Sequence, residues 1–209
     1  MLDHLVYAVP DLERGVRDIA ERLGVEPAIG GRHPDWGTAN ALVALGGQRY
    51  LEIIGPDPRA THSESRLRPF GIDDLDAPRL VTWAAHVTDL DARVQAARAA
   101  GYNPGSIVDM SRTRPTGDRL AWRLTVSSSG AGLPGDGVIP FLIEWGTSAH
   151  PTESLSPSCT LVNLSATHPH PHHVRAALQG LGIALVVEEG ATPGLQAELE
   201  TPVGRIVLT

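Results

Sequence analysis

The same succession of patterns occurs three times in this 209-residue chain, at a spacing of about 80 residues. Each time an alternating apolar run, typical of a β-strand, leads into a short amphipathic helix that ends at a glycine. Two or three further strand-like runs follow each helix. This order favours an α+β fold over an alternating βαβ sheet. The first strand runs are 2–9, 80–87 and 160–166, and the glycines are Gly24, Gly101 and Gly182.

The first two units align at an offset of 78 residues, which carries Val9 onto Val87. Asp11 and Asp89 then fall where an N-cap carboxylate accepts the free amide protons of a helix. We therefore predict paired βαβββ modules over 1–150, with boundaries at 1–56 and 80–146 and a connector at 57–79 that contains one helical turn. A smaller third unit over 158–209 is interpreted as structural, covering an exposed sheet edge or forming a dimer surface.

Composition excludes several classes of chemistry. All 17 basic residues are arginine, so a lysine Schiff base, a pyridoxal phosphate anchor and the lysine of a P-loop are absent. The single cysteine, Cys159, excludes an intrachain disulfide and thiolate metal clusters. A net charge of -7 argues against nucleic acid as a partner. No apolar run approaches the ~18 residues that span a bilayer, and the amino terminus does not read as an export signal. We expect no membrane contact, a cytoplasmic location and a homodimer.

Three polar residues interrupt strand runs that are otherwise apolar. His4 lies on the face of the first run that alternation assigns to apolar residues, Glu52 lies within 50–54, and Glu144 lies within 141–145. Burying a bare carboxylate costs several kcal/mol unless it is paired, protonated or bound to a cation. The two acids occupy the last strand of their units. Two interpretations are open. The two carboxylates pair with arginine side chains or face water, or they form a functional site together with His4.

Several segments together resemble a known family. The segment 31–42 (GRHPDWGTANAL), followed by 50–54 (YLEII), is similar to the glyoxalase-like domain family of the vicinal oxygen chelate superfamily, which includes glyoxalases, bleomycin-resistance proteins and dioxygenases. The segments 2–4, 114–117, 122–124 and 140–145 extend the likeness, which covers most of residues 1–150.

The resemblance implies a cupped sheet in which two modules hold a divalent metal, with one ligand from the first and one from the last strand of each module. Carried over by position, the metal ligands are His4, Glu52 and Glu144, and the fourth position is Thr82. This donor set suits Zn²⁺, Mn²⁺, Fe²⁺, Mg²⁺ or Ni²⁺. It lacks a second histidine, which makes ring-cleaving dioxygenase chemistry a weaker hypothesis than a redox-neutral lyase or isomerase reaction. Glu144, more than Glu52, is the predicted catalytic proton carrier.

Other polar residues are candidates for contact with a small-molecule substrate. Arginine binds carboxylate and phosphate groups bidentately, and the loop that begins at His33 is expected beside the cavity mouth. Arg112 and Arg119, in contrast, are interpreted as surface charges, and the histidines of 168–173 as a solvated helix entry. The predicted substrate-binding residues are His33, Asn40, His86, Arg114 and Arg123.

Three functional hypotheses follow. The first is a metal-dependent lyase or isomerase that acts on a small oxygen-rich metabolite, with the metal as Lewis acid. The second is a metal-free protein of the bleomycin-resistance type that binds a small molecule and needs no cofactor, which threonine at position 82 favours. The third is a purely structural module that forms dimers.

Overall fold

Two modules of the same element order form one curled eight-stranded sheet. The computed structural model describes residues 1–60, 68–113, 117, 119–127 and 132–209. The first module contains β1 (Leu2–Ala8), α1 (Leu12–Leu23), β2 (Ala28–His33), β3 (Thr38–Ala44) and β4 (Tyr50–Pro56). The second contains β5 (Arg79–His86), α2 (Leu90–Ala99), β6 (Ser106–Thr113), β7 (Arg119–Val126) and β8 (Phe141–Glu144).

The strand order of this sheet, β2-β3-β4-β1-β5-β8-β7-β6, repeats the same arrangement in each half. In each module the first strand pairs in parallel with the last, and the modules join where β1 and β5 pair antiparallel. The edge strands β2 and β6 also contact each other, so the sheet curls into a cup. The predicted α+β class with repeated modules in a cupped mixed sheet is confirmed.

The helices begin where the sequence predicts. The Asp11 side chain accepts a hydrogen bond from the Arg14 amide at 2.9 Å, and Asp89 accepts one from the Ala92 amide at the same distance. At the end of α1, Gly24 adopts φ 67°, a left-handed conformation that glycine reaches without a Cβ clash. Among the described residues, none of the helices has both the length and the hydropathy needed to cross a membrane.

A third unit packs on the convex side of the cup. It contains β9 (Thr160–His168), α3 (Pro171–Gly180), β10 (Val186–Glu189), β11 (Gly194–Thr201) and β12 (Gly204–Leu208). Its element order is βαβββ as predicted, but its strand order is β10-β9-β11-β12, so β9 pairs in parallel with the strand directly after the helix. The unit therefore repeats the order of elements without the sheet topology of the first two modules.

The two faces of the large sheet have different roles. Leu5, Tyr7 and Trp83 point to the convex face, where they share one core with helices α1 and α2 and with the third unit. Residues of the opposite parity, such as His4 and Glu52, point into the hollow of the cup. The third unit thus packs on a face of the sheet. The sequence suggested that it covers an edge strand or forms a dimer surface, and the second alternative stays a prediction.

Candidate functional site

The hollow of the cup encloses a cavity of about 500 Å³, a volume within the range of small-molecule sites. Strands from both modules line it, together with Arg68 and most residues of the 3-10 segment Pro69–Asp74 in the connector. Most of the lining is apolar, and a small set of polar side chains converges on it. This set includes His4, His33, Asn40, Glu52, Thr82 and Arg112.

His4 is held by its neighbour Asp3. Adjacent residues of a strand normally point to opposite faces, but the pairing of β1 with β5 shifts register between Leu2 and His4. Asp3 Oδ1 lies 2.7 Å from His4 Nδ1. Its second oxygen accepts a hydrogen bond from Trp145 Nε1 at 2.9 Å and lies 3.3 Å from His150 Nε2. The carboxylate therefore orients the imidazole so that Nε2 faces the cavity.

Asp3 remains ionised although it is only 1% exposed. Burial opposes its charged form, but the hydrogen bonds from His150 and His4, the charge of His4 and the bond from Trp145 together outweigh it. They hold the pKa of this carboxyl well below its usual range. A fixed negative charge therefore stands behind the imidazole.

Glu52 stands on the other side of the imidazole. Its Oε2 lies 3.7 Å from His4 Nε2, and Asn40 Nδ2 donates a hydrogen bond to Oε1. The side chain is nearly buried and lines the cavity. His4 thus lies between two carboxylates, one sequestered and one at the cavity wall, an arrangement that can accept a proton from a ligand and return it.

Tyr50 and Arg112 also belong to the polar side of the cavity. The Tyr50 ring stacks on His4 with centroids 4.6 Å apart. Burial, together with the charges of Asp3 and Glu52, raises the pKa of Tyr50 well above 10, so its phenol is a hydrogen-bond donor at neutral pH. Arg112 is buried against β2, where it donates to the Gly30 carbonyl, and it also lines the cavity.

His33 is a neutral member of the site. Burial lowers its pKa, and the charge of Arg112 acts in the same direction against the opposing charges of Glu52 and Asp57. Its Nδ1 lies 3.1 Å from Thr38 Oγ1. At neutral pH the ring can accept or donate a hydrogen bond toward the cavity without carrying charge.

The residues at the four family positions do not fit a divalent metal. The counterpart of Glu52 in the second module follows from strand pairing. Glu52 pairs with Val6 of β1, and the 78-residue offset between the modules carries Val6 onto Ala84 of β5. Ala84 pairs with Phe141 of β8, so Phe141 is that counterpart. The second module therefore contributes Thr82 and Phe141 where the first contributes His4 and Glu52. A hydroxyl and a benzene ring are a poor complement to one imidazole and one carboxylate. The described part of the chain contains no cluster of three ligating side chains.

Glu144 is not in the cavity, contrary to the sequence prediction. The side chains of β8 and its end that line the cavity are those of Phe141, Ile143 and Trp145. The Glu144 side chain points to the opposite face of the strand, away from the cavity. Its Oε1 accepts a hydrogen bond from the Leu90 amide at the start of α2, at 3.1 Å, and its Oε2 pairs with Arg123 Nη1, also at 3.1 Å.

Arg123 likewise lies outside the cavity, since its guanidinium pairs with Glu144 and with Asp91 on the outer face. His86 ends β5 beyond the cavity lining. Arg114 lies outside the described residues. The structure brings His33 and Asn40 to the site as predicted, and it leaves Arg119 exposed as a surface charge.

The sequence interpretation missed Asp3, Tyr50 and Arg112 as members of the site. Tyr50 lies two residues before Glu52 in the same strand run, so the alternation of side chains along a strand could have predicted that both face the cavity. Arg112 was expected at the surface, but it is buried because β6 curls against β2. The histidines of the third unit lie elsewhere, where His168 Nε2 faces Asp136 at 3.3 Å.

The sequence and the fold were compared with those of known proteins. Residues 2–182 match the family described as "Glyoxalase-like domain". No functionally curated protein matches the sequence. A hypothetical protein from Staphylococcus aureus superposes with a TM-score of 0.68 at 13% identity, over 92% of this chain and 87% of that one.

Methylmalonyl-CoA epimerases are also among the similar structures. The enzyme from Mycobacterium tuberculosis aligns at 23% identity and a TM-score of 0.40, covering 68% of this chain and 86% of its own. A Streptomyces coelicolor enzyme in complex with 2-nitronate-propionyl-CoA aligns at 19% identity and a TM-score of 0.43, over 72% and 98%. Scores this low identify no shared reaction.

Proposed function

This chain belongs to the glyoxalase-like domain family of the vicinal oxygen chelate superfamily, and we propose that it is an enzyme that moves a proton at carbon. The proposed reaction is an isomerisation or elimination of a small oxo acid. The observation that carries the proposal is His4, fixed by Asp3 at 2.7 Å and facing Glu52 at 3.7 Å on the wall of the cavity. Burying two carboxylates around one imidazole is costly, and proton transfer gives the arrangement a use.

Glu52 is the proposed general base. Its Oε2 accepts the proton from the carbon beside the substrate carbonyl. The C–H electron pair forms a C=C bond as the carbonyl π pair moves onto the oxygen, which gives an enolate. The Tyr50 phenol donates a hydrogen bond to that oxygen, and the positive charge of Arg112 balances the substrate's carboxylate. The His4 imidazolium, stabilised by Asp3, then delivers its proton to the enolate or to a leaving group and becomes neutral. The proton on Glu52 passes to His4 across the 3.7 Å between them, which restores both groups.

Deuterium uptake tests this proposal. A panel of 2-oxo acids, including pyruvate, 2-oxobutanoate and phenylpyruvate, is incubated with protein in deuterated buffer, and exchange at C3 is followed by proton NMR. We expect Glu52→Gln and His4→Gln to lower the exchange rate by about 10²–10⁴-fold, the usual contribution of a positioned acid or base.

Glu144→Gln is the matched control, because this carboxylate lies on the outer face of the sheet and its replacement should leave exchange unchanged. Exchange at the buffer rate across the whole panel, or an equal rate in wild type and Glu52→Gln, would contradict the proposal.

Metal dependence is tested separately. Because Thr82 and Phe141 occupy half of the family's ligand positions, we expect dialysis against a chelator to leave both the exchange rate and the melting temperature unchanged. The measurement requires protein purified without metal-affinity resin. Loss of exchange that Zn²⁺, Mn²⁺ or Ni²⁺ restores would contradict the assignment of the donor set.

A metal-free binding protein is the second candidate. Two observations favour it, namely the loss of ligands in the second module and the many aromatic side chains around the cavity. Binding of a panel member that raises the melting temperature, with equal and negligible exchange in wild type and Glu52→Gln, would select this function.

A further inference from the structure

The cavity gathers aromatic side chains from an aromatic-poor chain. Only nine residues are phenylalanine, tryptophan or tyrosine, 4% of the sequence. Six of the nine line this one cavity, including both phenylalanines. The six are Trp36, Tyr50, Phe70, Trp122, Phe141 and Trp145. Aliphatic side chains suffice to line a pocket for an aliphatic ligand, so this concentration calls for a more specific explanation.

The rings fall into two groups. In the first, Phe70 stacks on Phe141 with centroids 6.1 Å apart, and Phe141 meets the edge of His4 at 5.6 Å. In the second, Trp122 and Trp145 lie 5.5 Å apart. Phe141 and Trp145 both point into the cavity from β8 and its end. His4, which holds the proposed acid-base function, adjoins the first group.

Phe70 is placed by a strained backbone. Its φ of 65° lies in the left-handed region, which is uncommon for a residue with a Cβ. The turn that carries it is secured by Arg68, whose Nε donates to the Gly37 carbonyl at 3.1 Å and whose guanidinium pairs with Asp73. Strain that is retained next to a cavity indicates that the position of this ring matters to the site.

We propose that the substrate carries a flat aromatic ring that packs against the Phe70–Phe141 group and the Trp122–Trp145 group. The oxo-acid end of the substrate faces His4 and Glu52, and this part of the inference rests on the proposed function. Offset or edge-to-face contacts between rings contribute affinity beyond the burial of area. An aromatic ligand gains these contacts, and a saturated ring of the same size does not.

The acidic end of the ligand is argued from Arg112. Aromatic cages attract cations, and the carboxylates of Glu52, Asp73 and Asp74 also line the cavity, where Asp73 pairs with Arg68. Arg112 is the guanidinium that the proposed function assigns to the substrate's carboxylate, a group that arginine binds well. The inference is therefore restricted to aryl-substituted acids.

Matched ligands test the inference. Binding of phenylpyruvate and of 3-cyclohexylpyruvate is measured by isothermal titration, with benzyltrimethylammonium as the cationic comparison. We expect phenylpyruvate to bind about tenfold more tightly than the cyclohexyl acid, the amount that ring stacking contributes. Phe70→Leu and, independently, Trp122→Leu should reduce this preference to about twofold or less. Tyr102→Leu, an equivalent change outside the cavity lining, should retain it.

Equal affinity for the two acids, tighter binding of the cation, or binding of neither acid would overturn the inference. Because affinity and deuterium exchange are measured separately, the two proposals can fail separately. Preferential binding of phenylpyruvate without exchange would support the aromatic substrate class and contradict the proton-transfer function. Deuterium exchange of both acids with equal binding affinity would support the proton-transfer function and contradict the aromatic substrate class.

Discussion

Asp3 illustrates how one buried carboxylate organises several side chains at once. It joins residues from the first strand, His4, to residues near the end of the second module, Trp145 and His150. Each contact favours its ionised form, which is why the pKa falls despite burial. Because a protonated carboxyl would lose these charge-assisted bonds, the network couples the geometry of the site to pH.

The prediction at this scale concerns the pH dependence of stability. Since the folded pKa of Asp3 lies below its ordinary value of 3.8, its contribution to the free energy of unfolding is complete above that value. The contribution is lost as the pH falls below it. We expect Asp3→Asn to cost about 3 kcal/mol at pH 7, typical of breaking a buried pair, and progressively less in acid. Denaturant unfolding at pH 7 and at the lowest pH where the protein stays folded measures the difference.

Asp109→Asn is the control for this series, because that side chain is 94% exposed. It should change stability little at any pH. A cost for Asp3→Asn that is constant across the pH range would show that the carboxylate charge is not what stabilises the network.

The pairing of β2 with β3 shows how an element supports the site without contacting a ligand. Glycine at position 30 lets β2 approach Asn40 closely, where the register shifts between Ile29 and Gly31. A Cβ at Gly30 would meet Asn40 Oδ1 well inside contact distance and Asn40 Cγ at 3.0 Å. Asn40 in turn donates to Glu52, so the spacing of two strands determines where the proposed base lies.

We predict that Gly30→Ala destabilises the protein by about 1–3 kcal/mol, the usual cost of overpacking a buried site. It should also lower the exchange rate, because Asn40 must move and would no longer hold Glu52. Thermal unfolding and the deuterium assay measure the two effects. Gly132→Ala, where an added Cβ meets nothing within 4 Å, is the control for stability. Unchanged values for Gly30→Ala would show that Asn40 can move without affecting Glu52.

At the scale of the whole molecule, the third unit completes the core. The convex face of the large sheet carries side chains such as Leu5 and Trp83 that are almost fully buried. Backbone hydrogen bonds from the Leu80 amide to the Thr209 carbonyl and from the Leu161 amide to the Leu45 carbonyl join the unit to the cup. Burial of this face against the third unit adds a hydrophobic contribution to the stability of the cup.

Truncation after residue 157 tests this dependence. We expect the shortened chain to aggregate or to lose cooperative unfolding, because the convex face would be exposed to water. Size-exclusion chromatography and circular dichroism on heating provide the measurement. A soluble fragment that unfolds cooperatively would instead support 1–150 as an independent domain. The homodimer and the cytoplasmic location stay predictions, which light scattering and cell fractionation check.

The sequence by itself determined those features of the fold that depend on residues close together along the chain. Capping residues such as Asp11 and Asp89 and the alternation of apolar residues specify the helices and most of the strands, because these signals act over a few residues. They also identified His4 and Glu52. The βαβββ order implied a third strand after each helix, but the positions of β2 and β6 were not predicted, since Gly30 and Gly31 in β2 and polar residues in β6 break the alternation.

Only the tertiary structure decided which residue of β8 faces the cavity. A strand turns its side chains to opposite faces in succession, so the choice between Phe141 and Glu144 depends on the pairing of β8 with β5. The same is true of Arg112, which is buried because β6 meets β2 across the cup. Registers and curvature are set by contacts between distant segments, and no local pattern in the sequence records them.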